Sequence, residues 1–197
     1  MNETPVETEV KIAFGAGPHE ARDLIERAGY AGGEPRVLES DQLFDRGSAD
    51  LRNADQLLRL RRSGARSTVT YKGPATRARY KSREEIEFDV SDPSAFELVL
   101  DRLGYAPGFR YEKYRTKFPA PPGIITIDET PIGVFLELEG PENWIDSTAL
   151  RLGFSPLEYC TQSYAALYRD YLRSHEGAPV NMVFSANNIP DALRKDT

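Results

Sequence analysis

The chain has 197 residues, a formal net charge of -6 and 28% charged residues, enough for one domain with a sizeable core and poorly suited to a general nucleic-acid coat. Its apolar stretches are strand-sized, far short of the ~18 residues of a membrane span, and Met1 to Glu9 lacks the basic-then-apolar order of a secretory leader. A single cysteine, Cys160, excludes an internal disulfide, and the expected setting is a reducing cytoplasm with no membrane partner.

Alternating side chains predict a first strand from Val6 to Phe14. Pro18 then opens a helix whose Ala21, Leu24, Ile25 and Ala28 share a face before Gly29. Further strands are predicted at Val37 to Asp45, Gln56 to Arg62, Thr68 to Lys72 and Arg83 to Val90. Asp92-Pro93-Ser94 starts a second helix, with Phe96, Val99, Leu100 and Leu103 on one side and Gly104 as its stop. Strands follow at Arg110 to Phe118, Ile124 to Glu129 and Val134 to Glu139, and their short connections make them antiparallel hairpins. Helical period returns from about Glu142 to Leu152 and from about Thr161 to Leu172, where Tyr164, Leu167, Tyr168 and Tyr171 read as core. Residues 1–175 are read as one domain and residues 176–197, which lack a period, as a tail or lid.

Seven strands divide into a charged and an apolar face. Glu7, Glu9 and Lys11 lie opposite Val10 and Ile12, Arg59 and Arg61 opposite Leu58 and Leu60, Thr70 and Lys72 opposite Val69 and Tyr71, and Glu85 and Glu87 opposite Ile86 and Phe88. Later, Lys113, Arg115 and Lys117 oppose Tyr114 and Phe118, Asp128 opposes Ile125 and Ile127, and Glu137 and Glu139 oppose Leu136 and Leu138. A sheet with one solvated face would show the same pattern. Arginines at alternate positions, and three amphipathic helices able to cover an apolar outside, favour a barrel with a charged lumen.

Buried charges are costly unless paired or bound to a ligand, so such a lumen implies a highly charged, extended substrate accompanied by metal ions. Glu7, Glu9, Asp128, Glu137 and Glu139 are the candidate ligands for Mg2+ or Mn2+, hard cations that prefer oxygen. Alternate positions on one strand lie ~7 Å apart, so neighbouring strands must complete the shell. Lys11, Arg59, Arg61, Lys72, Lys113 and Arg115 are the candidate phosphate ligands, arginine through bidentate hydrogen bonds and lysine as a compact charge.

The runs Glu7-Thr8-Glu9-Val10-Lys11, Leu58-Arg59-Leu60-Arg61, Thr70-Tyr71-Lys72-Gly73, Arg83-Glu84-Glu85-Ile86-Glu87, Lys113-Tyr114-Arg115, Ile127-Asp128 and Leu136-Glu137-Leu138-Glu139-Gly140 together resemble the CYTH superfamily of triphosphate tunnel enzymes. That superfamily includes class IV adenylate cyclases and thiamine triphosphatases. The resemblance implies an α+β fold, a closed eight-stranded antiparallel β-barrel with flanking helices, with the five carboxylates as metal ligands and the six basic residues as a phosphate clamp. Glu85 and Glu87 match an acidic pair that orients those basic residues, assists a second metal, or serves only in structural ion pairs.

The activity implied is metal-dependent hydrolysis of thiamine triphosphate, tripolyphosphate or a nucleoside triphosphate, with Lys11, Arg59, Lys72 and Arg115 carrying catalysis. The alternatives are a class IV adenylate cyclase forming cyclic AMP and pyrophosphate, and a noncatalytic polyphosphate-binding module. The expected partner is a triphosphate-containing small molecule and no nucleic acid polymer; the oligomeric state stays open, a homodimer included.

Overall fold

The computed structural model describes residues 6–184. Strand β1 (Val6–Phe14) leads to helix α1 (Pro18–Arg27), β2 (Val37–Asp45), the single-turn helix α2 (Asp50–Asn53), β3 (Leu57–Ser63), β4 (Arg66–Lys72), the two-residue β5 (Thr76–Arg77) and β6 (Lys81–Asp89). Helix α3 (Pro93–Arg102) precedes β7 (Ala106–Ala120), β8 (Gly123–Thr130) and β9 (Gly133–Glu139), and helices α4 (Glu142–Arg151) and α5 (Tyr164–Ser174) follow. Eight strands pair antiparallel in the order β1-β9-β8-β7-β2-β3-β4-β6, and β6 pairs back onto β1. The closed barrel therefore has no open edge. None of the described helices is long and apolar enough to cross a membrane.

The helices begin where the sequence supplies a start. Pro18 and Pro93 occupy the first turns of α1 and α3, where a missing N–H has no helical partner to lose. Asp92 accepts from the Ala95 amide at 2.9 Å. Ser163 accepts from the Ala166 amide at 3.3 Å, which fixes the start of α5 at Tyr164, later than the periodicity alone suggests.

The apolar faces of the strands point outward. Ala21, Ile25, Ile145, Ala149 and Leu152 of the α1 and α4 regions pack on Val10, Ile12, Ile125, Ile127, Leu136 and Leu138. Leu100 and Phe96 of α3 cover Phe44, Leu60 and Val69. Burial of these side chains contributes on the order of 1.5–3 kcal/mol each, and it leaves the charged faces to the lumen.

Helix α5 does something different. Its Tyr164 and Tyr168 cluster with Tyr111, Phe135 and Met182, and Tyr111 and Phe135 share their strand faces with Lys113 and Glu137. The α5 cluster thus plugs one end of the lumen, with Leu167 and Tyr171 packed partly against it. Part of the segment read as a tail participates: Met182 donates its amide to Arg110 and accepts from the Glu112 amide at 3.1 and 2.8 Å, and the Tyr168 hydroxyl donates to the Pro179 carbonyl at 2.6 Å. Residues 185–197 lie outside the described residues.

Two local differences from the sequence reading have physical causes. Strand β7 starts at Ala106 instead of Arg110, because β2 shifts register between Gln42 and Phe44 and continues pairing with Pro107 and Ala106. An irregularity of this kind tolerates a proline in a strand. Strand β8 starts at Gly123, where a Cβ would stand 2.5 Å from the Trp144 ring and 2.6 Å from the Glu139 carbonyl oxygen. Trp144 thereby packs α4 onto the barrel beside the end of β9. Gly123→Ala should cost about 1–3 kcal/mol through overpacking, measured by urea unfolding; an unchanged midpoint would show that the Trp144 ring and the Glu139 backbone can both move away freely.

Candidate active site

The inward side chains surround a cavity of about 260 Å³, which Ser163, Tyr164 and Ala165 close from the α5 side. All six basic residues singled out from sequence line it, together with Lys81, Arg83 and Lys117, against six carboxylates. Strand register brings opposite charges together: Lys11 lies opposite Glu137, Lys72 opposite Glu85, Arg61 opposite Asp41, Lys113 opposite Glu39 and Arg115 opposite Asp128.

Beneath the basic layer lie three buried carboxylates. Asp128 and Asp41 are 0% exposed and Glu39 is 3% exposed. Arg115 forks onto Asp128 at 2.6 and 2.5 Å, Lys113 donates to it at 2.7 Å, and the Tyr164 hydroxyl donates to it at 2.7 Å. Arg61 forks onto Asp41 at 2.8 and 3.2 Å and reaches Glu39 at 3.0 Å. Burial opposes ionisation of Glu39 and Asp41, yet the adjoining cations together, Arg61 foremost, with Lys113 and Arg115 at Glu39 and Arg59 at Asp41, outweigh it and hold both carboxyls below the ordinary range. Burial, reinforced by Asp128, pushes the Tyr164 phenol well up, so it stays a protonated donor.

Asp128 stands apart from the other four carboxylates expected as metal ligands, all of which line the cavity. Its oxygens are taken by Lys113, Arg115 and Tyr164, and it does not line the cavity. Its part is to aim those donors. Glu85 acts similarly on Lys72, with which it makes a close ion pair, while Glu87 accepts from the Thr70 hydroxyl at 3.0 Å and lies 3.7 Å from Arg59. Both members of the pair thus face the basic residues of the lumen.

The remaining carboxylates are neutralised unevenly. Lys11 reaches Glu9 at 3.3 Å and Glu137 at 3.2 Å, and Arg115 also contacts Glu137. Burial opposes ionisation of Glu137, but Lys11 and Arg115 outweigh it and hold the carboxyl well below its ordinary range. Glu7 meets Lys72 at 3.2 Å, yet burial and a hydrogen bond shared with Glu85 push it up to about 8. Glu139 makes no ion pair among the described residues, and burial followed by repulsion from Glu9 and Glu137 raises it.

Glu7 and Glu139 thus hold their protons more tightly than ordinary carboxyls, a cost of ionisation that a bound cation would relieve, and the all-oxygen donor set suits a hard divalent ion. Among the described residues no three His, Cys, Asp or Glu side chains are already gathered as one coordination group, because Glu9, Glu85 and Glu137 face lysine or arginine. Metal binding by Glu7, Glu9, Glu137 and Glu139 would require exchange of those partners.

Sequence reasoning missed Glu39, Asp41, Lys81 and Tyr164 as parts of this site. On β2, polar Ser40 and Gln42 stand on the face opposite Glu39 and Asp41 and erase the alternation. Lys81 precedes the expected start of its strand, and Tyr164 belongs to a helix whose spacing signalled only core. The buried network predicts a contrast: Asp128→Asn should cost about 3–5 kcal/mol, because cations are left uncompensated. Glu139→Gln should be neutral or stabilising at pH 7, because a carboxyl raised in the fold is costly to ionise as pH rises above its unfolded value. Guanidinium unfolding at pH 7 checks both, and equal losses would contradict the assignment.

Comparison with known proteins agrees with this architecture. The CYTH domain family model matches residues 6–146. A Methanocaldococcus jannaschii protein, provisionally named an adenylate cyclase, is 31% identical over 105 residues, and the match spans 53% of this chain and 60% of the relative. A Vibrio parahaemolyticus structure with the same provisional name has a TM-score of 0.72 at 18% identity, covering 85% of this chain and 99% of that one. A Hippeastrum protein provisionally named an adenylyl cyclase, and described as having a dominant triphosphatase activity, has a TM-score of 0.64 at 17% identity, covering 84% and 95%.

Proposed function

The chain belongs to the CYTH domain family, and from that premise we propose that it hydrolyses a triphosphate held in the charged lumen, with a divalent cation as cofactor. The observation that carries this reading is the convergence of Lys11, Arg59, Arg61, Lys72, Lys113 and Arg115, from four strands, on one cavity of about 260 Å³. That volume lies just under the ~300 Å³ lower end for pockets that enclose drug-sized ligands. It suits a compact polyanion and leaves an attached organic group at the mouth.

Phosphate oxygens would take the place of the lumen carboxylates as acceptors for these donors. Arg59, Arg61 and Arg115 present forked N–H groups, and Lys11, Lys72 and Lys113 present compact charges. Lys11, Arg59, Lys72 and Arg115 stabilise the charge that spreads over the transferred phosphoryl oxygens. Asp128, Asp41 and Glu39 keep the cations aimed while the substrate binds, and Tyr164 fixes Asp128 from the plug. Mg2+ or Mn2+, held by Glu7, Glu9, Glu137 and Glu139, would neutralise phosphate charge and polarise the reacting group.

A second reading, cyclisation of ATP to cyclic AMP and pyrophosphate, uses the same clamp and is favoured by the provisional names of the similar proteins from M. jannaschii and V. parahaemolyticus. It requires the ribose 3′-hydroxyl to attack the α-phosphorus within the lumen, where a cavity of about 260 Å³ leaves little room beside the triphosphate. The dominant triphosphatase activity of the Hippeastrum protein supports hydrolysis.

The test is incubation of the protein with Mg2+ or Mn2+ and, separately, ATP, thiamine triphosphate and tripolyphosphate, with products identified by phosphorus NMR. Orthophosphate with the matching diphosphate is the expected result; cyclic AMP with pyrophosphate would establish the cyclase, and binding without turnover the noncatalytic module. Arg59→Lys should lower kcat/KM for the preferred substrate by about 10–100-fold, the loss of roughly 1.4–2.7 kcal/mol of charge-assisted hydrogen bonding. A change under twofold would remove Arg59 from the clamp.

A further inference from the structure

Lys81 opens β6 and lies in register with Glu9 of β1. Its ammonium is in close contact with Oε1 of Glu9, its one ion-pair partner among the described residues. Lys11 approaches the same oxygen at 3.3 Å. Two cations therefore converge on one carboxylate oxygen, while Glu139, directly opposite Glu9 on β9, has no ion pair among the described residues.

Lys81 is only 3% exposed, although it lines the cavity. Backbone pairing on both sides of the start of β6, to Glu9 of β1 and Arg77 of β5, fixes where its stem begins. A lysine ammonium is a compact, hard point charge, and it competes for the carboxylate oxygens that a divalent cation would use. Like charge also repels a second cation placed close by.

We propose that Lys81 is a built-in competitor of the divalent cation: it occupies the Glu9 oxygen that the ion must take over and thereby weakens metal binding at the Glu7 and Glu139 side of the lumen. This rests on the metal-dependent reading above. Lys81 is on this view a positioning residue that sets metal affinity, and its removal exposes a carboxylate to the ion.

The experiment is a titration of the full chain with Mn2+, without triphosphate, followed by isothermal calorimetry and by the electron paramagnetic resonance of free Mn2+. Lys81→Met, which keeps an apolar stem, should bind Mn2+ at least tenfold tighter than wild type or gain a second equivalent. Lys81→Arg keeps the charge and should stay within about threefold of wild type. Adding Glu9→Gln to Lys81→Met should abolish the gain. Thermal melting shows that each variant is folded, and Lys81→Gln replaces Lys81→Met if the latter is not.

Wild-type Mn2+ binding with unchanged or weaker binding by the Lys81→Met or Lys81→Gln variant would overturn the proposal while leaving the metal-dependent reading intact. Weaker binding of tripolyphosphate in EDTA, with Mn2+ affinity unchanged, would overturn it by making Lys81 a phosphate ligand. Binding by neither wild type nor variant would overturn both readings, and binding by the variant alone would support both.

Discussion

The buried fork of Arg115 on Asp128 is the interaction on which the rest of the site depends. Asp128 is fully enclosed, and it gathers Arg115 and Lys113 from β7 and Tyr164 from α5 onto two oxygens. Ionised groups in a low dielectric are stable only when paired and fully hydrogen-bonded. An inside-out barrel, with its apolar faces turned to the helices, must meet that condition along every strand. Asp41 with Arg61, and Glu137 with Lys11, meet it in the same way on neighbouring walls.

This arrangement separates two tasks that carboxylates can perform in a phosphate-binding tunnel. Those beneath the wall, Asp41, Asp128 and Glu39, aim cations and are shielded from the cavity. Those at its surface, Glu7 and Glu139 above all, remain short of positive charge. The same residue type thus aims basic side chains in one layer and faces the cavity with little neutralising charge in the other, and burial decides which.

Much of the fold was legible because the barrel's charge pattern has the strand period. Glu7, Glu9 and Lys11 alternate with Val10 and Ile12, and Glu137 and Glu139 with Leu136 and Leu138, so a two-residue period sorts lumen from exterior. Layering within the lumen was not legible. Asp128 and Glu139 occupy inward positions on adjacent strands and look equivalent in sequence, but only the three-dimensional reach of Tyr164 and Arg115 withdraws Asp128 from the cavity. The plug was hidden for a related reason: Tyr164 and Tyr168 show a helix period, and nothing local distinguishes a helix that covers a barrel from one that enters its end. Lys81 and Asp41 were lost where a strand boundary or a polar outer neighbour interrupted the alternation.

The position of β1 between β6 and β9 also shapes how the molecule assembles. The first strand of the chain pairs only with strands made much later, so it carries the longest loop closures in the barrel, which are slow to form. Until they form, Glu7, Glu9 and Lys11 remain hydrated; their transfer out of water coincides with the arrival of Glu137 and Lys81. The charged seam thus belongs to the closing of the barrel, and dissolved salt, which screens charges before they are buried, bears on that closure.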